Sequence, residues 1–201
     1  MKFVFSIIIF TLSLTSTSLL ATDNEAGANV QPDNLFPRVL LETSVGKVVV
    51  ELDRNRAPIT SNNFLTYVIS GHYDQTIFHR VIKDFVVQGG GYDGFYSERP
   101  LDKSIFNESG NGLKNKLYTL AMARDEDPHS ATSQFYINMA DNAGLDPGKD
   151  WGYTVFGLVM EGEEVLDLIS GAQTHTHPQL GWEDVPKTII TLKKASVIAE
   201  E

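Results

Sequence analysis

Short runs rich in β-branched and aromatic residues recur along the chain between clusters of turn residues, a pattern typical of β-strands. Two of these runs, Arg38–Thr43 and Lys47–Leu52, lie on either side of the turn Ser44–Gly46 and predict a β-hairpin. The same pattern predicts further strands at Ile77–Ile82, Phe85–Gln88, Leu117–Arg124, Gln134–Met139, Thr154–Met160 and Thr188–Val197.

Two segments have helical periodicity instead. In the first, which begins at Pro58, the apolar residues Phe64, Tyr67 and Val68 stand at i, i+3 and i+4 and form one face. The second is a short helix at Glu163–Ile169. Many short strands with two helices, without regular alternation of the two, favour an antiparallel barrel over a doubly wound sheet.

Three polar residues stand inside the apolar stretch that follows the first helix: His79, Arg80 and Gln88. A guanidinium among sheet residues is costly unless its five N–H donors find acceptors. Taken alone, Arg80 is equally consistent with a structural arginine tied to a backbone carbonyl or carboxylate and with a functional residue. Its neighbours in sequence do not decide between the two.

Three motifs change this interpretation: FHRVIKDFVVQGGG (Phe78–Gly91), LAMARDEDPHSATSQFYIN (Leu120–Asn138) and GYTVFG (Gly152–Gly157). In this order they resemble the cyclophilin family of peptidyl-prolyl isomerases, and the resemblance covers Arg38–Val197. ATSQF and GYTVFG are most similar to the bacterial periplasmic branch. The resemblance implies a closed eight-stranded antiparallel barrel, mainly β and capped by two helices, that isomerises X–Pro peptide bonds.

Isomerisation of an X–Pro bond needs no nucleophile or metal, because no covalent bond forms or breaks. Amide resonance opposes the rotation with a barrier of roughly 18–20 kcal/mol. In the twisted transition state the proline nitrogen regains a lone pair, so a donor directed at it binds that state better than either planar form. A rigid, permanently charged guanidinium suits this role. Arg80 stands where the family carries its arginine and is the predicted catalytic residue.

The resemblance also implies an apolar pocket for the proline ring, lined by Phe85, Val86, Tyr136 and Leu145. Without the motifs, Phe85 and Tyr136 would be interpreted as ordinary core aromatics. Val86 replaces the methionine common in the family and gives a shorter, stiffer wall. Tyr136 replaces a phenylalanine, and its hydroxyl needs a hydrogen-bond partner.

Polar groups around this pocket are implied to hold the peptide. Gln88 and the backbone around Ala123–Arg124 would bind its carbonyl and amide groups, and Gln134 would support the catalytic arginine. His79 and Tyr153 would stand at the rim, and Tyr153 replaces the histidine of many members.

One position predicts weak binding of cyclosporin, the cyclic peptide inhibitor of many cyclophilins. When the sequences are aligned on Leu145–Asp146, Gly144 falls where relatives carry Trp or Phe. The missing ring would weaken inhibitor binding more than turnover of a small substrate, unless Trp151 folds back to replace it.

Competing motifs are weaker. His175 and His177 are spaced like metal ligands on a strand, but a solvated loop is the favoured interpretation. Gly89–Gly91 lacks the Lys and Ser/Thr of a phosphate loop. Nothing around Ser130 resembles a nucleophile elbow. Asn107 begins a glycosylation sequon, which matters only in a eukaryotic secretory route.

Composition limits the partners. With 201 residues, 42% of them hydrophobic, the chain suits one globular domain with a leader. A net charge of −10 argues against nucleic acid or anionic membrane as the main partner. The chain has no cysteine, so it offers no disulfide and no thiolate nucleophile.

The chain begins with a predicted leader. Met1–Ala21 has the charged start, apolar centre and small-residue end of a secretory signal peptide, cleaved between residues 18 and 24. A membrane anchor is the alternative, but the apolar run is short for a span. Residues 22–36 are interpreted as a flexible tether and 37–199 as the isomerase domain.

These observations predict an exported monomer that isomerises X–Pro bonds in unfolded or loop segments of exported proteins and so assists their folding. Its location is predicted to be the periplasm, with secretion as the second choice. No cofactor or metal is expected. A proline-recognising binding module, or holdase, is the main alternative, and a metal-buffering protein that uses His175 and His177 is a weaker one.

Overall fold

A computed structural model describes residues 23–200 of the chain, so the predicted signal peptide lies outside the described residues. The strands are β1 (Arg38–Thr43), β2 (Lys47–Leu52), β3 (Thr76–Ile77), β4 (Arg80–Ile82), β5 (Val86–Gly89), β6 (Thr119–Met122), β7 (Phe135–Asn138), β8 (Val155–Glu161), β9 (Thr174–His175), β10 (Val185–Pro186) and β11 (Thr191–Val197). The α-helices are α1 (Pro58–Ile69) and α2 (Glu163–Ser170), and short 3₁₀ helices form at Asp23–Asn29 and Ala143–Leu145. No helix in the described part is both long and apolar enough to cross a membrane.

Nine of the strands form one curled antiparallel sheet in the order β3-β11-β1-β2-β8-β6-β7-β5-β4. The two outermost strands, β3 and β4, are separated in the chain by only Phe78 and His79. The covalent chain therefore joins the two edges, and if β3 and β4 are counted as one bent strand the ring has eight members. The predicted antiparallel, mainly β fold with two helices is confirmed.

Aromatic rings fill the interior of the sheet under α1. The ring centroid of Phe64 lies 5.0 Å from that of Tyr73, 5.4 Å from that of Phe135 and 5.3 Å from that of Phe156. All four side chains are fully buried. Such rings each bury about 150–250 Å², so this cluster anchors α1 and holds the strands beneath it in place.

The strand period places the candidate site on the other side of the sheet. Val87 and Ile137 face the main core, whereas Val86 and Tyr136 belong to a second, smaller apolar cluster. Successive side chains of a strand point to opposite faces, so each strand here contributes to the core and to the site at once.

The segment interpreted as a flexible tether is packed against the domain in its described part, which corrects that interpretation. The 3₁₀ helix Asp23–Asn29 contacts α1, and the amide of Gly27 donates to Thr66 Oγ1 at 2.8 Å. The guanidinium of Arg54, buried to 8% exposure, donates to the carbonyls of Gln31 and Asn34 among others. The segment is poor in apolar residues, so its attachment depends on backbone carbonyls, which composition does not reveal.

Candidate active site

Strand register aligns four of the residues at the centre of the candidate site. Arg80 on β4 pairs with Gln88 on β5, Gln88 pairs with Tyr136 on β7, and Tyr136 pairs with Ala121 on β6. Neighbouring strands lie about 4.8 Å apart, so these residues form one continuous row across the sheet. The row brings a guanidinium, an amide and a phenol together at one end of the smaller apolar cluster.

Nine of the eleven predicted site residues line one cavity of about 260 Å³ next to this row. They are Arg80, Phe85, Val86, Gln88, Ala123, Arg124, Tyr136, Leu145 and Tyr153. We call this cavity the proline pocket. The other two predicted residues, His79 and Gln134, line a neighbouring cavity, whose walls also include Arg80 and Gln88. The structure thus brings the predicted residues together, while their roles remain predictions.

Arg80 has few partners. Its Nη1 donates one long hydrogen bond, 3.4 Å, to Gln88 Oε1, and Gln88 Nε2 donates to Gln134 Oε1 at 3.0 Å. None of the ion pairs in the described part involves Arg80. The side chain of Arg80 is therefore not tied to a backbone carbonyl or to a carboxylate, as that of a structural arginine would be. Gln134 acts on Arg80 through Gln88, one step less directly than predicted.

The hydroxyl of Tyr136 finds its partner in Asn115, a residue that the sequence did not single out. It donates to Asn115 Oδ1 at 2.8 Å. The backbone amide and Nδ2 of Asn115 in turn donate to Asp146 Oδ1 at 2.8 and 3.1 Å. Burial raises the pKa of Tyr136, so the phenol stays protonated and keeps donating. This chain of bonds fixes one wall of the pocket to the loop that carries Leu145.

Arg124 forms part of the opposite wall with its side chain. Its guanidinium carbon lies 4.6 Å from the ring centroid of Tyr153, and its Nη2 donates to the carbonyl of Trp151 at 2.9 Å. The amide of Ala123 donates to the carbonyl of Gln134 at 3.0 Å. Of the backbone groups predicted to hold a peptide at Ala123–Arg124, this amide is therefore already occupied.

His79, predicted to stand at the rim, does not line the proline pocket but lines the neighbouring cavity together with Arg80 and Gln88. Its side chain is 7% exposed, and its ring centroid lies 4.8 Å from that of Tyr92. Burial, and then the neighbouring charge of Arg80, lower the pKa of His79 to about 4. The imidazole is therefore neutral at pH 7.

Gly144 faces open space, and Trp151 does not replace a ring there. A Cβ placed on Gly144 would meet no atom within 4 Å. The ring of Trp151 packs instead against Phe106 and His129, at centroid distances of 5.6 and 5.1 Å. The alternative in which Trp151 folds back onto the proline pocket is not the arrangement seen.

The competing motifs do not form sites in the described part of the chain. No group of three or more His, Cys, Asp or Glu side chains there is arranged to hold a metal ion. Ser130 Oγ donates to the carbonyl of Asp127, not to a histidine. Asn107 is 5% exposed, and its Nδ2 donates to the carbonyls of Pro128 and Gly152 at 3.1 and 3.0 Å, so a glycan has no access to it.

Comparisons with known proteins agree with this geometry. Residues 38–197 match the family model described as cyclophilin type peptidyl-prolyl cis-trans isomerase/CLD. The chain is 49% identical over 164 residues to the peptidyl-prolyl cis-trans isomerase cyp18 of Streptomyces antibioticus, covering 80% of this chain and 98% of that protein. It is 47% identical over 161 residues to the peptidyl-prolyl cis-trans isomerase A of Dickeya dadantii, covering 80% and 84%.

Solved structures give the same result. The crystal structure of a cyclophilin type peptidyl-prolyl cis-trans isomerase of Cryptosporidium parvum superposes with a TM-score of 0.69 at 25% identity. The match covers 83% of this chain and 99% of that one. The family match over residues 38–197 contains the curled sheet and the site described above.

Proposed function

The chain belongs to the cyclophilin-type peptidyl-prolyl cis–trans isomerases, and we propose that it uses Arg80 to isomerise X–Pro bonds in exported proteins. The activity follows from the family. The catalytic role of Arg80, the location and the clients are the proposal. The observation that supports the role of Arg80 is its single, long hydrogen bond at the mouth of an apolar pocket.

The geometry suits stabilisation of a twisted amide. A proline ring in the pocket would contact Phe85, Val86 and Tyr136, and its nitrogen would face the row that contains Arg80. As the nitrogen becomes pyramidal, a guanidinium N–H can donate to its new lone pair. Before reaction the guanidinium is oriented by its one long hydrogen bond to Gln88, which is itself bonded to Gln134, and its other N–H groups stay available. The ground-state amide nitrogen has no such lone pair, so the interaction favours the transition state.

Pocket walls contribute binding rather than chemistry. Val86 and Tyr136 are 2% and 4% exposed and are fixed by β-strand pairing and by the bond to Asn115. A rigid apolar pocket can hold the proline ring while the residue on its amino side rotates. When the pocket keeps the proline side of the bond fixed, thermal motion of the other side becomes rotation about that bond.

Export is supported by the leader sequence. Met1–Ala21 has the pattern of a secretory signal, and the chain resembles the bacterial periplasmic branch in ATSQF and GYTVFG. We therefore propose a periplasmic monomer that assists folding of exported proteins. Without cysteine, its own folding is independent of the oxidising conditions met after export.

Refolding of an exported protein whose slow phase is limited by X–Pro isomerisation tests the folding role. Catalytic amounts of wild type should accelerate that phase, which takes tens to hundreds of seconds uncatalysed, and Arg80→Ala should not. A binding module or holdase would instead act only at stoichiometric amounts and equally well with Arg80→Ala. That result would replace the proposed function with the alternative.

A further inference from the structure

A second cavity of about 430 Å³ shares Arg80 and Gln88 with the proline pocket. Its remaining walls come from His79 beside β4, from single residues that follow β5, follow β6 and precede β7, and from the loop that precedes β10. Two cavities that share wall residues lie within reach of neighbouring residues of one peptide, whose Cα atoms are 3.8 Å apart. A side chain near the proline can therefore enter the second cavity, which we call the side cavity.

Aromatic rings form one wall of the side cavity. The ring centroid of Trp182 lies 4.7 Å from that of Tyr92, with the ring planes at 57°, and 6.1 Å from that of His79. The rings meet at a tilt, so the contact covers at most one face of each ring, and Trp182 is only partly buried. The face of an indole or phenol ring carries negative charge density and attracts cations, with indole the strongest.

Carboxylates form another part of the wall. Asp125, Glu183 and Asp184 line the side cavity. In the part of the chain that the structure describes, no ion pair involves these carboxylates. Three unpaired negative charges outnumber the one positive charge in the cavity, that of Arg80. The side cavity therefore attracts a cation more than an anion.

His79 gives an observation independent of the charges. Its side chain is 7% exposed and lines the side cavity, yet its Nδ1 has no hydrogen-bond partner in the described structure. Buried polar atoms are nearly always hydrogen-bonded, so the missing partner of this nitrogen is one that a group bound in the side cavity, or its water, can supply after a small shift of the ring.

We propose that the side cavity binds a lysine or arginine side chain of the same polypeptide whose X–Pro bond lies in the proline pocket. The inference deepens the proposed function and rests on the proline pocket being the catalytic site. The basic group would lie against the faces of Trp182 and Tyr92, with its charge compensated by Asp125, Glu183 and Asp184. The enzyme is therefore selective for X–Pro bonds that have a basic residue close by in sequence.

A peptide series tests this selectivity. Each peptide carries one X–Pro bond and a single Lys, Ala or Glu at one of the three positions before or the two positions after the proline, and kcat/KM is measured by exchange NMR. Lys should exceed Ala by about fivefold to tenfold at one or two positions, because a cation–π contact and weak ion pairs act together. Glu should fall below Ala there. High salt should reduce the difference.

Variants of the chain identify the side cavity as the cause. Glu183→Gln combined with Asp184→Asn should lower the Lys to Ala ratio, while the cation–π contribution of Trp182 and Tyr92 remains. The matched control, Glu161→Gln combined with Glu164→Gln, removes two charges outside the side cavity and should keep the ratio. A ratio near one in wild type at every position, a preference for Glu, or a ratio unchanged by Glu183→Gln/Asp184→Asn would overturn the proposal.

Binding separates failure of this proposal from failure of the catalytic assignment. The chain has two tryptophans, so Trp151→Phe leaves Trp182 as the reporter. Lys peptides should change its fluorescence at concentrations about fivefold to tenfold lower than Ala peptides do, even if no peptide is isomerised. If Lys peptides bind more tightly but no peptide is isomerised, only the catalytic assignment is rejected. If both peptides bind equally well, the proposed role of the side cavity is rejected.

Discussion

Two arginines of this chain show the difference between a structural and an available guanidinium. Arg54 satisfies its donors with Asn62 Oδ1 and with backbone carbonyls, including that of Val30 at 2.8 Å. Arg80 makes one bond of 3.4 Å. A buried guanidinium needs all its donors satisfied, whereas one at a pocket mouth can keep them for a ligand. The contrast within one protein supports Arg80 as the functional one.

At the residue scale, we expect the absence of a side chain at Gly144 to lower the affinity for cyclosporin. Gly144→Trp should raise cyclosporin affinity by about tenfold, because a ring burying about 60 Å² more apolar surface contributes roughly 1.5 kcal/mol. A Cβ at Gly144 meets nothing within 4 Å, so the substitution has room. Trp151→Ala is the control and should not change affinity. Titration showing tight wild-type binding that disappears in Trp151→Ala would contradict this.

His79 makes stability depend on pH. Its folded-state pKa of about 4 lies below the unfolded value near 6.5, so the unfolded state binds more protons between these pH values. The free energy of unfolding should therefore be unaffected by His79 above about pH 6.5 and should fall by up to about 3 kcal/mol as the pH drops towards 4.

Urea unfolding of wild type and His79→Phe between pH 4.5 and 7.5 measures this dependence. His79→Phe keeps a ring in place but has no proton to bind, so its stability should fall less at low pH. Burial also lowers the pKa of His72, which acts in the same direction and remains in both proteins. Identical pH profiles for the two proteins would show that His79 is not responsible.

At the scale of elements, the segment before β1 should behave as part of the domain. Gly27→Ala should release it, because a Cβ there would lie 1.9 Å from the carbonyl oxygen of Asn62. Arg54→Ala should release it as well and cost about 2 kcal/mol or more, because several hydrogen bonds to a charged group are lost. Amide hydrogen exchange of residues 26–36 reports the release.

The matched control for this experiment is Gly110→Ala, where a Cβ would meet nothing within 4 Å. It should leave exchange in the segment unchanged. Rapid exchange of residues 26–36 already in wild type would instead support the flexible tether that composition suggests.

The sequence predicts those parts of the site that depend on strand period and local motif. The row Arg80–Gln88–Tyr136 follows from adjacent strands in register, and the motifs identify each member. Partners contributed by distant loops were not predictable. Asn115 meets Tyr136 only because a loop folds against β7, and Trp182 meets Tyr92 across 90 residues of sequence. No periodicity or residue spacing in the sequence marks contacts between side chains so far apart along the chain.

At the scale of the whole molecule, the charge and the leader together predict where the protein works. The net charge of −10 suits a soluble domain. The mature protein from its native host should begin between Leu19 and Asn24 and fractionate with soluble exported proteins. Mass spectrometry of the fractions checks this. An intact Met1–Ala21 in the membrane pellet would show that the leader is an anchor.

The most direct test of the account is exchange NMR on a short X–Pro peptide with wild type and Arg80→Ala. Losing one preorganised donor costs on the order of 3 kcal/mol, so kcat/KM should fall about 100-fold while unfolding stays cooperative. Arg80→Lys should also be well below wild type, because a flexible point charge does not reproduce a planar fork. Lys83→Ala, in the exposed turn beside Arg80, should keep wild-type turnover. Wild-type turnover by Arg80→Ala would contradict the catalytic role proposed for this residue.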